Sequence, residues 1–178
     1  MNKKELKNRL VETCKKDLKS CNYEELYTAL LKITEEDDFI TEIKYAGQTA
    51  EETSPSTPLL EKAVNQLYDY FLGNLKEFDL PVNPRVSPYR KKVLEELMKV
   101  PYGSTTTYKE LAEKTGNPKA VRAVGGAMRT NPIIIVIPCH RVLQTGGGLG
   151  NYSAGGPANK DWLLTFENQN TYGLWGLF

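Results

Sequence analysis

Leu80-Pro-Val-Asn-Pro-Arg-Val-Ser-Pro88 places three prolines within nine residues. Proline fixes φ, lacks a backbone N–H and biases the preceding residue away from helix, so neither a helix nor a strand ladder runs through such a stretch. The chain is therefore expected to divide into an N-terminal domain of residues 1–80, a linker of 81–88 and a C-terminal domain of 89–178. A length of 178 residues is enough for one generous domain or two small ones.

Charge divides with the chain. Residues 1–81 carry 11 Lys/Arg against 16 Asp/Glu, residues 82–145 carry 11 against 4, and residues 146–178 carry 1 against 2. A middle segment with that positive excess is a candidate polyanion-binding surface; a solvated basic face without a partner stays open as the alternative. The longest apolar run, Ile133 to Ile137, is too short to cross a bilayer, and the basic N-terminus lacks a signal-peptide core. The expectation is a monomer in the cytoplasm or nucleus. Three cysteines (Cys14, Cys21, Cys139) are an odd number, which disfavours a disulfide framework.

In the first half, Leu6, Leu10, Cys14 and Leu18 suggest an amphipathic helix. Tyr27 to Ile33 and Phe39 to Tyr45 read as a hairpin around the acidic turn 34–38, and Leu60, Val64, Leu67, Phe71 and Leu75 form a helical stripe after a polar loop. Nothing there suggests chemistry.

Beyond the linker, Ser87-Pro88 is a helix start, with a capping hydroxyl and proline at the first helical position. Thr107 and Glu110 have capping-box spacing, and the short helix they open closes at Gly116. Asn117-Pro118 opens a second, running to Arg129, so the pair has the form of a helix-turn-helix with a basic second helix. Ala120, Ala123, Gly125, Gly126 and Ala127 leave that helix almost bare, although each interior glycine costs about 1 kcal/mol relative to alanine. Either another helix packs on the bare face or a nucleic-acid backbone does, and composition alone leans to the helix. Arg122 is a long cation on this smooth surface.

Asn131 to Pro138 is a β-branched run bounded by prolines, expected to be a short buried extended segment that delivers Cys139 to the edge of a core. His140 follows it and is the only histidine in the chain. Alone, each would most simply be structural; together, and beside Arg141, whose charge would lower the thiol pKa, they suggest an activated nucleophile. On an extended backbone the two side chains point apart, so proton transfer needs a bridging water. The imidazole then needs an acceptor behind it, and Glu167, placed unfavourably at the end of a helix beginning near Lys160, is the candidate.

Ile-Pro-Cys-His-Arg-Val, with Asn-Pro-Lys-Ala-Val-Arg-Ala-Val-Gly-Gly-Ala-Met-Arg-Thr-Asn-Pro before it and Gly-Asn-Tyr-Ser and Lys-Asp-Trp-Leu-Leu after it, resembles the O6-alkylguanine-DNA alkyltransferase family from about Ser87 to Glu167. The resemblance implies an α+β fold: a small N-terminal α/β domain, ribonuclease-H-like in reduced form, and a mainly helical C-terminal domain with a helix-turn-helix. It implies single-use repair of double-stranded DNA containing O6-alkylguanine, with O4-alkylthymine as a second candidate lesion. An alkyl group passes irreversibly to Cys139, with no cofactor.

By the same resemblance, Arg122 fills the gap left in the base stack by a flipped nucleotide, and Thr107, Ala120, Ala123, Gly125 and Arg129 meet DNA. Tyr108 and Ser153 donate to the leaving guanine, the carbonyls of Cys139 and Val142 accept from its amine, and Met128 and Tyr152 line the pocket. Asn131 links the helix-turn-helix to the active-site turn. Glu167, His140, a water and Cys139 form the relay.

The chain departs from the family in its N-terminal part, which lacks a Ser-Pro-hydrophobic-Gly turn, and in a loop from Ala154 to Asn159 that is a residue longer. Cys14 and Cys21 without a nearby histidine argue against a structural zinc. Ile134 and Ile135 stand where a proline can occur, which bears on bulky adducts. A non-enzymatic sensor of alkylated DNA and a cysteine hydrolase are the alternatives; related sensors carry tryptophan in place of the cysteine, and hydrolases turn over repeatedly.

Overall fold

The computed structural model describes residues 31–45 and 57–172. The helix expected around Leu6 to Leu18, the start of the expected first strand and residues 173–178 lie outside them. The architecture is mixed: five helices and two small two-stranded sheets among the described residues.

Strands β1 (Leu31–Glu36) and β2 (Phe39–Tyr45) pair antiparallel, with Ile33 opposite Ile43 and a bulge at Thr34/Glu35. The acidic turn is shorter than expected, because Thr34 to Glu36 belong to the strand and only Asp37 and Asp38 turn. Both have positive φ, 53° and 62°. Two consecutive left-handed residues match the twist of the flanking strands, and aspartate tolerates that conformation.

Helix α1 (Pro58–Phe71) is capped by the Thr57 hydroxyl, which accepts from the Leu60 N–H at 3.1 Å. It buries Ala63, Leu67, Tyr70 and Phe71, a spacing that puts all four on one face. Gly73, with φ 77°, lies just past its end, so Leu75 lies beyond the helix. The proline-rich stretch is not a free tether: the Ile40 N–H donates to the Pro81 carbonyl at 2.8 Å and the Asn83 N–H to the Ile40 carbonyl at 3.0 Å.

Helix α2 (Pro88–Met98) starts at proline as expected, although the Ser87 hydroxyl makes no capping bond. After it come β3 (Thr106–Thr107) and helix α3 (Tyr108–Lys114). The capping box is complete: Thr107 Oγ1 accepts from the Glu110 N–H at 3.1 Å, and Glu110 Oε2 accepts from the Thr107 N–H at 2.8 Å. Gly116, with φ 80°, turns the chain. Helix α4 (Val121–Arg129) begins later than expected, because the Ala120 N–H closes a tight turn on the Asn117 carbonyl at 2.9 Å.

Residues 131–137 are not an extended segment. Ile133 bridges to Ile43 of β2, with the Ile43 N–H donating to the Pro132 carbonyl and the Ile134 N–H to the Ile43 carbonyl. The chain then doubles back, the Ile137 N–H reaching the Ile133 carbonyl at 3.0 Å, and Ile135 adopts φ 71°. Local preference for extension loses to burial: Ile133, Ile135 and Ile137 are fully enclosed. A left-handed β-branched residue costs on the order of 1–3 kcal/mol, comparable to the roughly 1.5–3 kcal/mol that burying one such side chain contributes. A 3₁₀ turn (Cys139–Arg141), strand β4 (Val142–Leu143), parallel to β3, and helix α5 (Gly156–Tyr172) complete the described chain.

Candidate active site

Cys139 is a free thiol on the 3₁₀ turn, almost entirely buried, at the inner wall of an open cleft of about 490 Å³. Tyr108 at the start of α3, Gly125, Met128 and Arg129 from α4, and Tyr152 and Ser153 before α5 line the same cleft. The sequence-predicted residues thus gather from four separate stretches. Arg122 and Ala123 are exposed on α4, Ala120 is its N-cap and Thr107 caps α3, so these four lie outside the cleft lining.

Behind the thiol, Asn131 Nδ2 donates to the Ile137 carbonyl at 2.8 Å and its Oδ1 accepts from the Ile133 N–H at 3.1 Å. Asn131 follows α4 directly, so it ties that helix to the folded-back turn carrying Cys139. Burial pushes the Cys139 thiol above its ordinary pKa, opposed by a hydrogen bond from Asn131, by the charge of Lys160 and by nearby backbone N–H groups.

This revises two expectations. Arg141 does not activate the thiol: its Nε and Nη2 donate to Glu167 at 2.9 Å each, and its Nη1 donates to the Val100 carbonyl at 2.6 Å. Cys139 and His140 share a 3₁₀ turn rather than an extended backbone, because the Arg141 N–H closes on the Pro138 carbonyl at 2.9 Å. The rule of alternating faces does not govern them.

His140 is fully buried, and its Nε2 lies 2.8 Å from Glu167 Oε1. Its Nδ1 is enclosed and has no hydrogen-bond partner among the described protein atoms. A carboxylate facing Nε2 fixes the proton there and leaves Nδ1 as the acceptor. Burial lowers the imidazole pKa, against the raising effect of Glu167. Burial likewise pushes the Glu167 carboxyl up, but hydrogen bonds and charge from His140 and Arg141 outweigh it and hold it far below the usual carboxylate range. Glu167 lies well inside α5 rather than at its end, so the expected helix-dipole penalty does not arise.

The profile of the 6-O-methylguanine DNA methyltransferase DNA-binding domain matches residues 88–169. A constitutive methylated-DNA–protein-cysteine methyltransferase of Bacillus subtilis is 37% identical over 145 residues, covering 77% of this chain and 88% of that protein. The chain belongs to the methylated-DNA–protein-cysteine methyltransferase family. A family member from Methanosarcina barkeri is 46% identical over 109 residues, covering 61% of this chain and 68% of its own length. The crystal structure of Mycobacterium tuberculosis OGT in complex with DNA superposes with a TM-score of 0.71 at 37% identity, covering 79% of this chain and 87% of that one.

Within this methyltransferase, three groups around the site escape a reading of the sequence. Lys160 is fully enclosed and its ammonium donates to the carbonyls of Val142 and Leu149, both at 2.5 Å. Burial lowers its pKa, opposed by the nearby Cys139. Its spacing of seven from Glu167 places both on one face of α5, a signal the sequence did carry. The Tyr70 hydroxyl donates to Glu167 Oε1 at 2.7 Å and the Gly103 N–H to Oε2 at 3.1 Å. Neither contact leaves a local trace, since the partners lie 97 and 64 residues away.

Proposed function

We propose that this methyltransferase reverses alkylation damage in double-stranded DNA, taking the alkyl group from the O6 atom of guanine onto Cys139, once per protein molecule. The observation that carries the reading is the pairing of a free thiol at the cleft wall with a buried imidazole and carboxylate behind it.

In this mechanism the Cys139 proton passes through a water to His140 Nδ1, and the imidazolium so formed is stabilised by the ionised Glu167. The sulfur attacks the alkyl carbon, the S–C bond forms, the C–O6 bond breaks and its electron pair enters the guanine ring. Tyr108 supports that charge as a hydrogen-bond donor to a ring nitrogen. Burial, and then the nearby Cys139, raise its pKa, so it remains a neutral phenol. Ser153 donates near O6, the carbonyls of Cys139 and Val142 accept from the exocyclic amine, and Met128 and Tyr152 form the pocket walls. Lys160, by holding the Val142 carbonyl, fixes one of those acceptors and favours the thiolate.

Helices α3 and α4 act as the helix-turn-helix, with Arg122 entering the stack in place of the flipped nucleotide. Thr107, Ala120, Ala123, Gly125 and Arg129 meet the duplex.

The test is intact mass after incubation with duplex DNA containing O6-methylguanine. The wild type gains one methyl group on Cys139 and stops at one equivalent; Cys139→Ala gains none. Turnover beyond one equivalent, or methylation of Cys139→Ala, would exclude the reading.

A further inference from the structure

Glu167 stands where the two halves of the chain meet. Its Oε1 accepts from His140 Nε2, from Arg141 Nη2 and, at 2.7 Å, from the Tyr70 hydroxyl of α1. Its Oε2 accepts from Arg141 Nε and the Gly103 N–H. Arg141 and Gly103 already neutralise and anchor the carboxylate, so a fully buried phenol is not required to keep it ionised. Phenylalanine would fill the same space.

The phenol is nevertheless held in register. Phe71, Phe78, Tyr102 and Phe166 surround the Tyr70 ring at centroid distances of 5.1, 5.4, 5.7 and 5.9 Å. We propose that Tyr70 is a positioning residue of the proton relay, its hydroxyl fixing Glu167 Oε1 against His140 and drawing off enough charge to keep the imidazole a neutral acceptor. The N-terminal half thereby takes part in the chemistry.

The physical need is specific. A carboxylate oxygen that gave its full charge to Nε2 would stabilise the imidazolium before substrate arrived, and an imidazole already protonated at Nδ1 cannot take the thiol proton. Several charged or titratable groups bear on His140. Glu167 and Lys160 come from α5 and Arg141 from its own turn; Tyr70 from α1 and Tyr102 from the segment after α2 act through Glu167, and Cys139 adjoins it in the chain. Burial, then the charge and hydrogen bond of Glu167, raise the Tyr70 pKa well above its ordinary value, so it remains a donor throughout the working range.

The inference rests on the alkyl-transfer reading, and its test separates the two. Single-turnover methyl transfer from O6-methylguanine duplex is followed against pH for the wild type, Tyr70→Phe and Phe78→Leu. His140, the only histidine, is titrated by imidazole 15N NMR in the same proteins.

In Tyr70→Phe both the acid limb and the imidazole titration move up by about half a pH unit or more. That corresponds to a roughly threefold loss of rate on the limb. Duplex affinity is unchanged. Phe78→Leu lowers thermal stability and leaves the limb in place. A Tyr70→Phe protein that is less stable but titrates like the wild type overturns the proposal. If the wild type does not methylate Cys139, the function reading fails on its own, while the NMR titration still decides what Tyr70 does to His140. Should Tyr70→Phe not fold, the wild type decides: a slowly exchanging Tyr70 hydroxyl proton close in space to the His140 Nε2 proton is expected, and its absence overturns the geometry.

Discussion

Cys139 combines enclosure with nucleophilic duty, and the two pull its thiol in opposite directions. Burial raises the pKa, while the Asn131 hydrogen bond and the Lys160 charge restrain the rise without cancelling it. The resting site therefore holds a thiol, and in the proposed mechanism ionisation waits for the proton to leave through His140. Carbamidomethylation of Cys139 by iodoacetamide, read by peptide mass mapping, should be slower at pH 7 than for a cysteine peptide and should still be rising at pH 9. A rate already flat below pH 7 would mean a standing thiolate. The sequence makes Cys139 and His140 legible because they are adjacent and unusual. It hides the direction of the thiol shift, because Arg141, its neighbour in sequence, spends its charge on Glu167 while the enclosed Lys160 comes from a different element.

At the scale of elements, α4 is the clearest conflict between stability and a surface kept bare. A Cβ built on Gly125 or Gly126 meets nothing within 4 Å, so no neighbouring helix covers the two glycines, contrary to what composition suggests, whereas Ala127 packs into the core. The glycines cost helix stability without any packing return inside the molecule. Gly126→Ala should stabilise the protein by about 1 kcal/mol, seen as a rise of about 2–4 °C in Tm. It should also weaken binding to O6-methylguanine duplex in a fluorescence anisotropy titration, because the methyl group occupies space that the DNA backbone would take. Higher Tm with unchanged affinity would remove the bare face from the DNA interface. Elements with local signals were readable: the Thr107/Glu110 capping box, proline opening α2, and the hairpin strand Phe39–Tyr45. The fold-back at Ile133 to Ile137 was not, since its shape is set by pairing with β2 and by enclosure, while its composition favours extension.

Across the whole molecule, the buried His140–Glu167 pair couples folding to protonation. Contacts from β2 to the turn before Cys139, and from α1 to Glu167, join both halves of the described chain to that pair. His140 has a folded pKa below its ordinary 6.5, and Glu167 one far below its ordinary 4.5. For both groups the unfolded chain binds protons first, so their stabilisation is fully present above the ordinary values and is lost as pH falls through the folded ones. Each such group contributes a slope of at most about 1.4 kcal/mol per pH unit. The urea midpoint at constant m should therefore begin to fall below about pH 6.5 through His140 and fall further below about pH 4.5 through Glu167. Replacing the imidazole with a neutral amide in His140→Gln should remove the upper part of the decline and leave the lower part. A His140→Gln protein that loses stability between pH 6.5 and pH 4.5 as steeply as the wild type would show that the buried imidazole is not the group that couples acidification to unfolding.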